Sequence, residues 1–151
     1  MPGRSGRPMS VRGVRHTGIV VTRLAPAVRF WTSLGFKVKS RAVETGRFID
    51  GVVGLQGAKV SWAKLTAPDG AMVELLEYHS HPARPRGRRP ANRVGVHHVA
   101  MTVRGVDALV RRLTRKGFKP NAAPAVSPDG KVKVVYVHGP DELVLELVEV
   151  L

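Results

Sequence analysis

Two histidines and two glutamates of this chain, His16 and His98 with Glu74 and Glu146, stand at matching places and could together hold a metal ion. Their spacing comes from an internal repeat. The segment HTGIVVTRLAPAVRFWTSLGFKV (His16–Val38) aligns without a gap on HVAMTVRGVDALVRRLTRKGFKP (His98–Pro120) at an offset of 82. Eight of the 23 positions are identical, among them His16/His98, Val28/Val110, Gly35/Gly117 and Phe36/Phe118. Average residue usage would give about one or two. Further on, PDGAMVEL (Pro68–Leu75) aligns on PDELVLEL (Pro140–Leu147) at an offset of 72, so the second copy is ten residues shorter in its middle. Each copy opens on a strand led by His and closes on a strand carrying Glu.

Side chains alternate across a strand, so equivalent positions face equivalent sides. If the His and Glu strands of a copy are neighbours, each copy offers one imidazole and one carboxylate. Two copies then give a 2-His-2-carboxylate set. Such nitrogen and oxygen donors suit Mn, Fe, Co, Ni or Zn and leave positions open for water or substrate. With no cysteine in the chain, thiolate metal sites, disulfides and thiol nucleophiles are excluded. Taken singly, a His at a strand start or a Glu in an alternating strand is an ordinary polar residue. The coincidence of all four with the repeat makes the case.

The other titratable residues carry less. His97 precedes His98 and points to the other face. His79 and His81, in YHSHP, are expected to be exposed. His138, just before Gly139-Pro140, could line the mouth of a site. Glu77 and Glu149 lie three residues beyond the candidate ligands, on the opposite face, and are expected to face solvent. Glu44, in the middle of copy one, is a weaker candidate for a further acid or base.

These residues need a scaffold of strands. His16–Thr22 reads as a β-branched strand and Ala25–Leu34 as a short helix, with Pro26 in its first turn and Gly35 ending it. Phe36–Arg41 reads as a strand, and Ala58–Thr66 with Ala71–Tyr78 as a hairpin about Pro68-Asp69-Gly70. Between them, Phe48–Val53 reads as a helical turn. Copy two repeats the plan with strand His98–Val103, helix Asp107–Lys116, a strand near Phe118, and strands Lys131–His138 and Glu142–Val150. One copy alone would bury too little surface. The expected fold is α+β: two tandem βαβββ modules forming a curved eight-stranded mixed sheet with helices outside and a ligand site on the concave face. Module one spans 14–78, a linker 79–95 and module two 96–151, with a flexible basic tail at 1–13.

The chain of 151 residues is 43% hydrophobic, enough for a core, and its eleven prolines and sixteen glycines argue for many turns. No apolar run approaches the roughly 20 residues that span a bilayer, and no signal-peptide core is present. The lack of cysteine fits a cytoplasmic location. A net charge of +14 raises nucleic acid as a partner. Much of it, however, sits on Pro/Gly-rich segments: Arg4, Arg7, Arg12 and Arg15 in or just after the tail, and Arg84, Arg86, Arg88, Arg89 and Arg93 in the linker. Aromatics make up only 5% and no reading helix is recognisable. The charge therefore points to solubility or to capture of a small anionic substrate.

The patterns HTGIVV, PDGAMVELLE, GVHHVAMTV and HGPDELVLELVE, in this order and spacing, resemble the vicinal-oxygen-chelate superfamily. It includes glyoxalase I, methylmalonyl-CoA epimerase, extradiol dioxygenases and antibiotic-resistance proteins. The resemblance covers about residues 14–151 and is nearest to the epimerase and glyoxalase I branches. It implies one divalent ion (Co, Ni, Mn, Zn or Fe) held by His16, Glu74, His98 and Glu146. Fosfomycin-resistance and dioxygenase members usually lack the carboxylate at the equivalent of Glu74, so Glu74 favours proton transfer. The implied activity is that of an epimerase, isomerase or glyoxalase-like lyase acting beside a carbonyl, where the metal stabilises the enolate. By resemblance Glu146 is the first choice of base and Glu74 the opposing acid/base. The implied partners are a small anionic carbonyl or thioester substrate and a second copy of the chain in a homodimer. The site could form within one chain or across the dimer. The arginine-rich linker and the tail are not part of the family pattern. The alternatives are a metabolite- or antibiotic-binding resistance protein of the same fold, and an Fe(II) dioxygenase of the extradiol type.

Overall fold

The computed structural model describes residues 11–83 and 87–151. The expected tail falls outside the described residues as far as residue 10, Arg4 and Arg7 included, and so do Arg84 and Arg86 of the linker. Residues 11–15 carry no regular structure and are exposed. The chain divides into two compact units, Met1–Pro82 and Ala83–Leu151.

Unit one contains β1 (Thr17–Val20), α1 (Leu24–Ser33), β2 (Lys37–Thr45), α2 (Arg47–Val53), β3 (Lys59–Thr66) and β4 (Met72–Tyr78). Its sheet has the order β1-β4-β3-β2, with β1 parallel to β4 and the other pairs antiparallel. Unit two contains β5 (His98–Thr102), α3 (Val106–Arg115), β6 (Ala125–Val126), β7 (Val132–His138) and β8 (Val144–Val150). Its sheet repeats the pattern as β5-β8-β7-β6, again with one parallel pair. The eight strands of the two modules thus form two four-stranded mixed sheets.

Alternation along the strands explains what each sheet face does. In unit one, Ala63, Leu65, Val73 and Leu75 share a face and are buried beneath Ala27, Val28, Phe30 and Trp31 of α1. Each valine, leucine or phenylalanine among them contributes roughly 1.5–3 kcal/mol on burial. In unit two, Val135, Val137, Leu145 and Leu147 are buried in the same way under Val106, Val110 and Leu113 of α3. Both helices end in the same device. The Gly35 N–H donates to the Thr32 carbonyl at 3.1 Å and the Phe36 N–H to the Trp31 carbonyl at 3.2 Å. The Gly117 N–H donates to Thr114 and the Phe118 N–H to Leu113, both at 3.0 Å. The pattern needs a left-handed residue after the helix, which glycine supplies at φ 99° and 91°. The Phe36 ring then meets Trp31 edge-on, with centroids 4.8 Å apart.

Two features depart from the expected plan. The strand expected near Phe118 is reduced to a single bridge between Pro120 and Val137, followed by the two-residue β6. Pro120 and Pro124 carry no N–H and cannot continue a ladder. The turn at Phe48–Val53 is a full helix, α2, and it lies on the face opposite α1. Its Ile49 packs with Ala58 and Val60, and Val53, Leu76 and Tyr78 close the cluster. Val60, Leu76 and Tyr78 are on the same face as Glu74. The ten residues missing from the second copy fall in this stretch, and unit two has no such helix among its described residues.

Candidate metal centre

Glu74 is central on β4 and His16 immediately precedes β1, the parallel neighbour of β4. Their side chains meet, with His16 Nε2 2.6 Å from Glu74 Oε2. Unit two repeats the contact. Glu146 lies on β8 beside β5, and His98 Nε2 is 3.0 Å from Glu146 Oε2. Both pairs lie on the sheet face away from α1 or α3, because each Glu alternates with the buried leucines beside it. They stay partly open: the side chains are 27% and 13% exposed in the first pair and 43% and 24% in the second.

Two donors bound to one ion at about 2.1 Å and at right angles stand about 3 Å apart. The His98–Glu146 distance matches this, and His16–Glu74 needs only a few tenths of an ångström more. The Nδ1 of His16 is buried without a hydrogen-bond partner among the described residues. The protein alone therefore leaves the hydrogen bonding of this ring incomplete. The Nε2–Oε2 spacings leave room for a divalent ion at these pairs, whereas the open Nδ1 of His16 is the ring nitrogen that does not face Glu74 and would not be the ion's ligand. Within the described residues no third His, Asp or Glu joins either pair.

The remaining candidates separate clearly. His79 is exposed, with its Nε2 2.7 Å from the Ser61 hydroxyl, and His81 and His97 are exposed too. His138 is 7% exposed, and its Nε2 lies 2.9 Å from Asn121 Oδ1. Arg88 Nη2 donates to that same oxygen at 2.8 Å. An amide oxygen only accepts, so Nε2 of His138 carries a proton. Its Nδ1 is 3.3 Å from Glu142 Oε2 but without hydrogen-bond alignment. Glu44 accepts from Trp62 Nε1 at 3.0 Å, on the same sheet face as Glu74.

Glu77 and Glu149 do lie on the opposite face, but they do not simply face solvent. The opposite face is the one α1 and α3 cover, and both carboxylates cap a helix start. Glu77 accepts the Leu24 N–H at 2.7 Å. Glu149 accepts the Gly105 N–H at 2.6 Å and the Val106 N–H at 3.1 Å. A signal for this role was present. Helices opening at Arg23 and Gly105 have no side-chain cap of their own, so their free N–H groups need an acceptor from elsewhere. Sequence reasoning also passed over Lys64 and Tyr136, the cross-strand partners of Glu74 and Glu146.

Comparison with known proteins gives the family and the fold. Residues 15–136 match the Glyoxalase/Bleomycin resistance protein/Dioxygenase superfamily. The chain belongs to this superfamily. A glyoxalase family protein from Bacillus cereus is 27% identical to this superfamily member, with a TM-score of 0.87 over 96% of this chain and 98% of that one. The fosfomycin resistance protein FosX from Listeria monocytogenes, solved with manganese(II) and sulfate, is 15% identical. Its TM-score is 0.61, with 93% of each chain covered. A glyoxalase I variant from Zea mays is 19% identical with a TM-score of 0.62, over 88% of this chain and 43% of that one. At these lower identities the likeness is one of fold. No curated protein matches the chain. No described helix is long and apolar enough to cross a membrane.

Proposed function

We propose that this chain is a divalent-metal-dependent enzyme that moves a proton beside a carbonyl, as an epimerase, isomerase or glyoxalase-like lyase. His16, Glu74, His98 and Glu146 are the ligands in this reading. The observation that carries it is the duplicated His–Glu contact, 2.6 Å in one unit and 3.0 Å in the other, on repeat-equivalent positions. FosX, a protein of like fold solved with manganese(II), supports a metal in this reading, the ion being one of Mn, Fe, Co, Ni or Zn.

When bound, the ion supplies positive charge next to the substrate's carbonyl oxygen, where negative charge develops as the proton leaves. Glu146 is assigned as the base. Its carboxylate is a quarter exposed, so a substrate proton can reach it, and His98 orients it through the 3.0 Å contact. Glu74 is assigned as the opposing acid or base, to return or accept the proton on the other face. A small anionic carbonyl compound or thioester suits the basic surface, and family likeness supports a homodimer, which sedimentation reads directly.

The test is deuterium incorporation from solvent at the carbon beside the carbonyl, followed by NMR over a panel of small anionic carbonyl compounds and thioesters. The metal-loaded protein is expected to exchange at least one of them. Glu146→Gln is expected to lower the rate by about a hundredfold or more, the usual contribution of a positioned base, with unchanged circular dichroism. Undiminished exchange in that variant would overturn the assigned role.

A further inference from the structure

The Glu74 face of unit one carries a cation that the metal reading does not use. Lys64 on β3 is the direct partner of Glu74 on β4, and the same row ends at Ser40 on β2. Side chains directly opposite on an antiparallel pair have Cβ atoms about 5 Å apart, close enough for an ion pair. The ammonium does not form one. Glu74 is engaged by His16, and Lys64 Nζ lies over the Trp62 indole, 4.9 Å from the ring centroid. That ring is fixed in turn by its Nε1–H bond to Glu44 at 3.0 Å. Among the described residues no carboxylate stands within ion-pair distance of Lys64.

A half-buried ammonium whose partner is an aromatic face is only partly compensated. It gains most from an oxyanion, through a charge-assisted hydrogen bond. The exposed hydroxyl of Ser40, next in the row, adds a second donor. At the equivalent position unit two has no cation. The repeat-equivalent of Lys64 is Tyr136, whose ring lies 5.1 Å from that of His98. The repeat thus keeps the His–Glu pairs alike while placing a lysine opposite the Glu in unit one and a tyrosine in unit two.

We propose that Lys64, seated on Trp62 with Ser40 beside it, is the receptor for the anionic group of the substrate, a carboxylate or a phosphate. The word substrate rests on the proton-transfer reading; binding of an oxyanion at Lys64 does not. The full-length protein is titrated with malonate, with inorganic phosphate and with neutral malonamide at constant ionic strength, and tryptophan fluorescence is followed. Of the two tryptophans, Trp31 is 1% exposed in the core, so Trp62 is the reporter, and loss of the response in Trp62→Phe assigns it. At least one of the two anions is expected to give a saturable change and malonamide none. Which anion binds more tightly decides between carboxylate and phosphate. Lys64→Met and Lys64→Gln are expected to weaken binding about tenfold or more, Lys64→Arg to recover most of it, and the metal content to stay as in the wild type. An anion response that depends on Lys64 in a protein that takes up no metal would remove the proton-transfer reading and leave this one standing. Equal binding of malonate and malonamide, or wild-type anion affinity in both Lys64→Met and Lys64→Gln, would overturn the proposal.

Discussion

Replacing Glu149 by Ala tests whether a strand carboxylate far along the chain starts the helix of unit two. Glu149 holds two N–H groups at the head of α3, those of Gly105 at 2.6 Å and Val106 at 3.1 Å. The helix has no side-chain cap of its own. Losing a cap of this kind costs typically about 1 kcal/mol, and removing a negative charge from a helix start adds about 0.3–1 kcal/mol. Gly105 is exposed, so water can serve its N–H, whereas Val106 is fully buried and its N–H is harder to reach. The expected loss is therefore about 1.5 kcal/mol. For a chain of this size that lowers Tm by roughly 3–6 °C and the urea midpoint by roughly 0.5–1 M. Glu149→Gln keeps an acceptor oxygen and loses the charge, so about half the effect is expected. The assay is urea and thermal unfolding by far-ultraviolet circular dichroism, with hydrogen exchange read at Gly105 and Val106. A solvent-facing glutamate would change stability by less than about 0.5 kcal/mol. Such a result for Glu149→Ala, with unchanged exchange at those two amides, would refute the capping role.

Gly117→Ala forces a side chain to φ 91° after α3, outside the range L-residues adopt comfortably. A loss of about 1–3 kcal/mol is expected, with Gly35→Ala behaving alike at φ 99°; thermal unfolding reads both. Asp50→Ala removes the carboxylate that accepts the Gly57 and Ala58 N–H groups at 2.9 and 2.8 Å. It is expected to cost about 1–2 kcal/mol and to raise hydrogen exchange in α2 while leaving α3 unchanged.

What the sequence made legible follows from the repeat. Positions at offset 82 or 72 share an environment, so both helices, their glycine ends and the closing hairpin strands were readable, as were the two His–Glu pairings. Where the copies diverge, legibility fell. Phe118-Lys119-Pro120 carries the apolar start of a strand, yet proline at the third place leaves only one bridge to Val137. Alternation assigned Glu77 and Glu149 to the correct face. It could not tell that the helix heads converge on that end of the sheet, because that depends on packing over more than forty residues of chain. Lys64 escaped notice for the opposite reason. Its repeat partner is Tyr136, and a search for shared residues passes over the position where the two units differ.

The central claim, a metal held by both His–Glu pairs, is tested most directly by the metal content of the purified, untagged protein. Mass spectrometry of the wild type is set beside the His16→Ala/His98→Ala double variant. The account predicts about one Mn, Fe, Co, Ni or Zn ion per set of four ligands in the wild type, lost in the variant. No metal in the wild type even after supplementation, or full retention in the double variant, would contradict it.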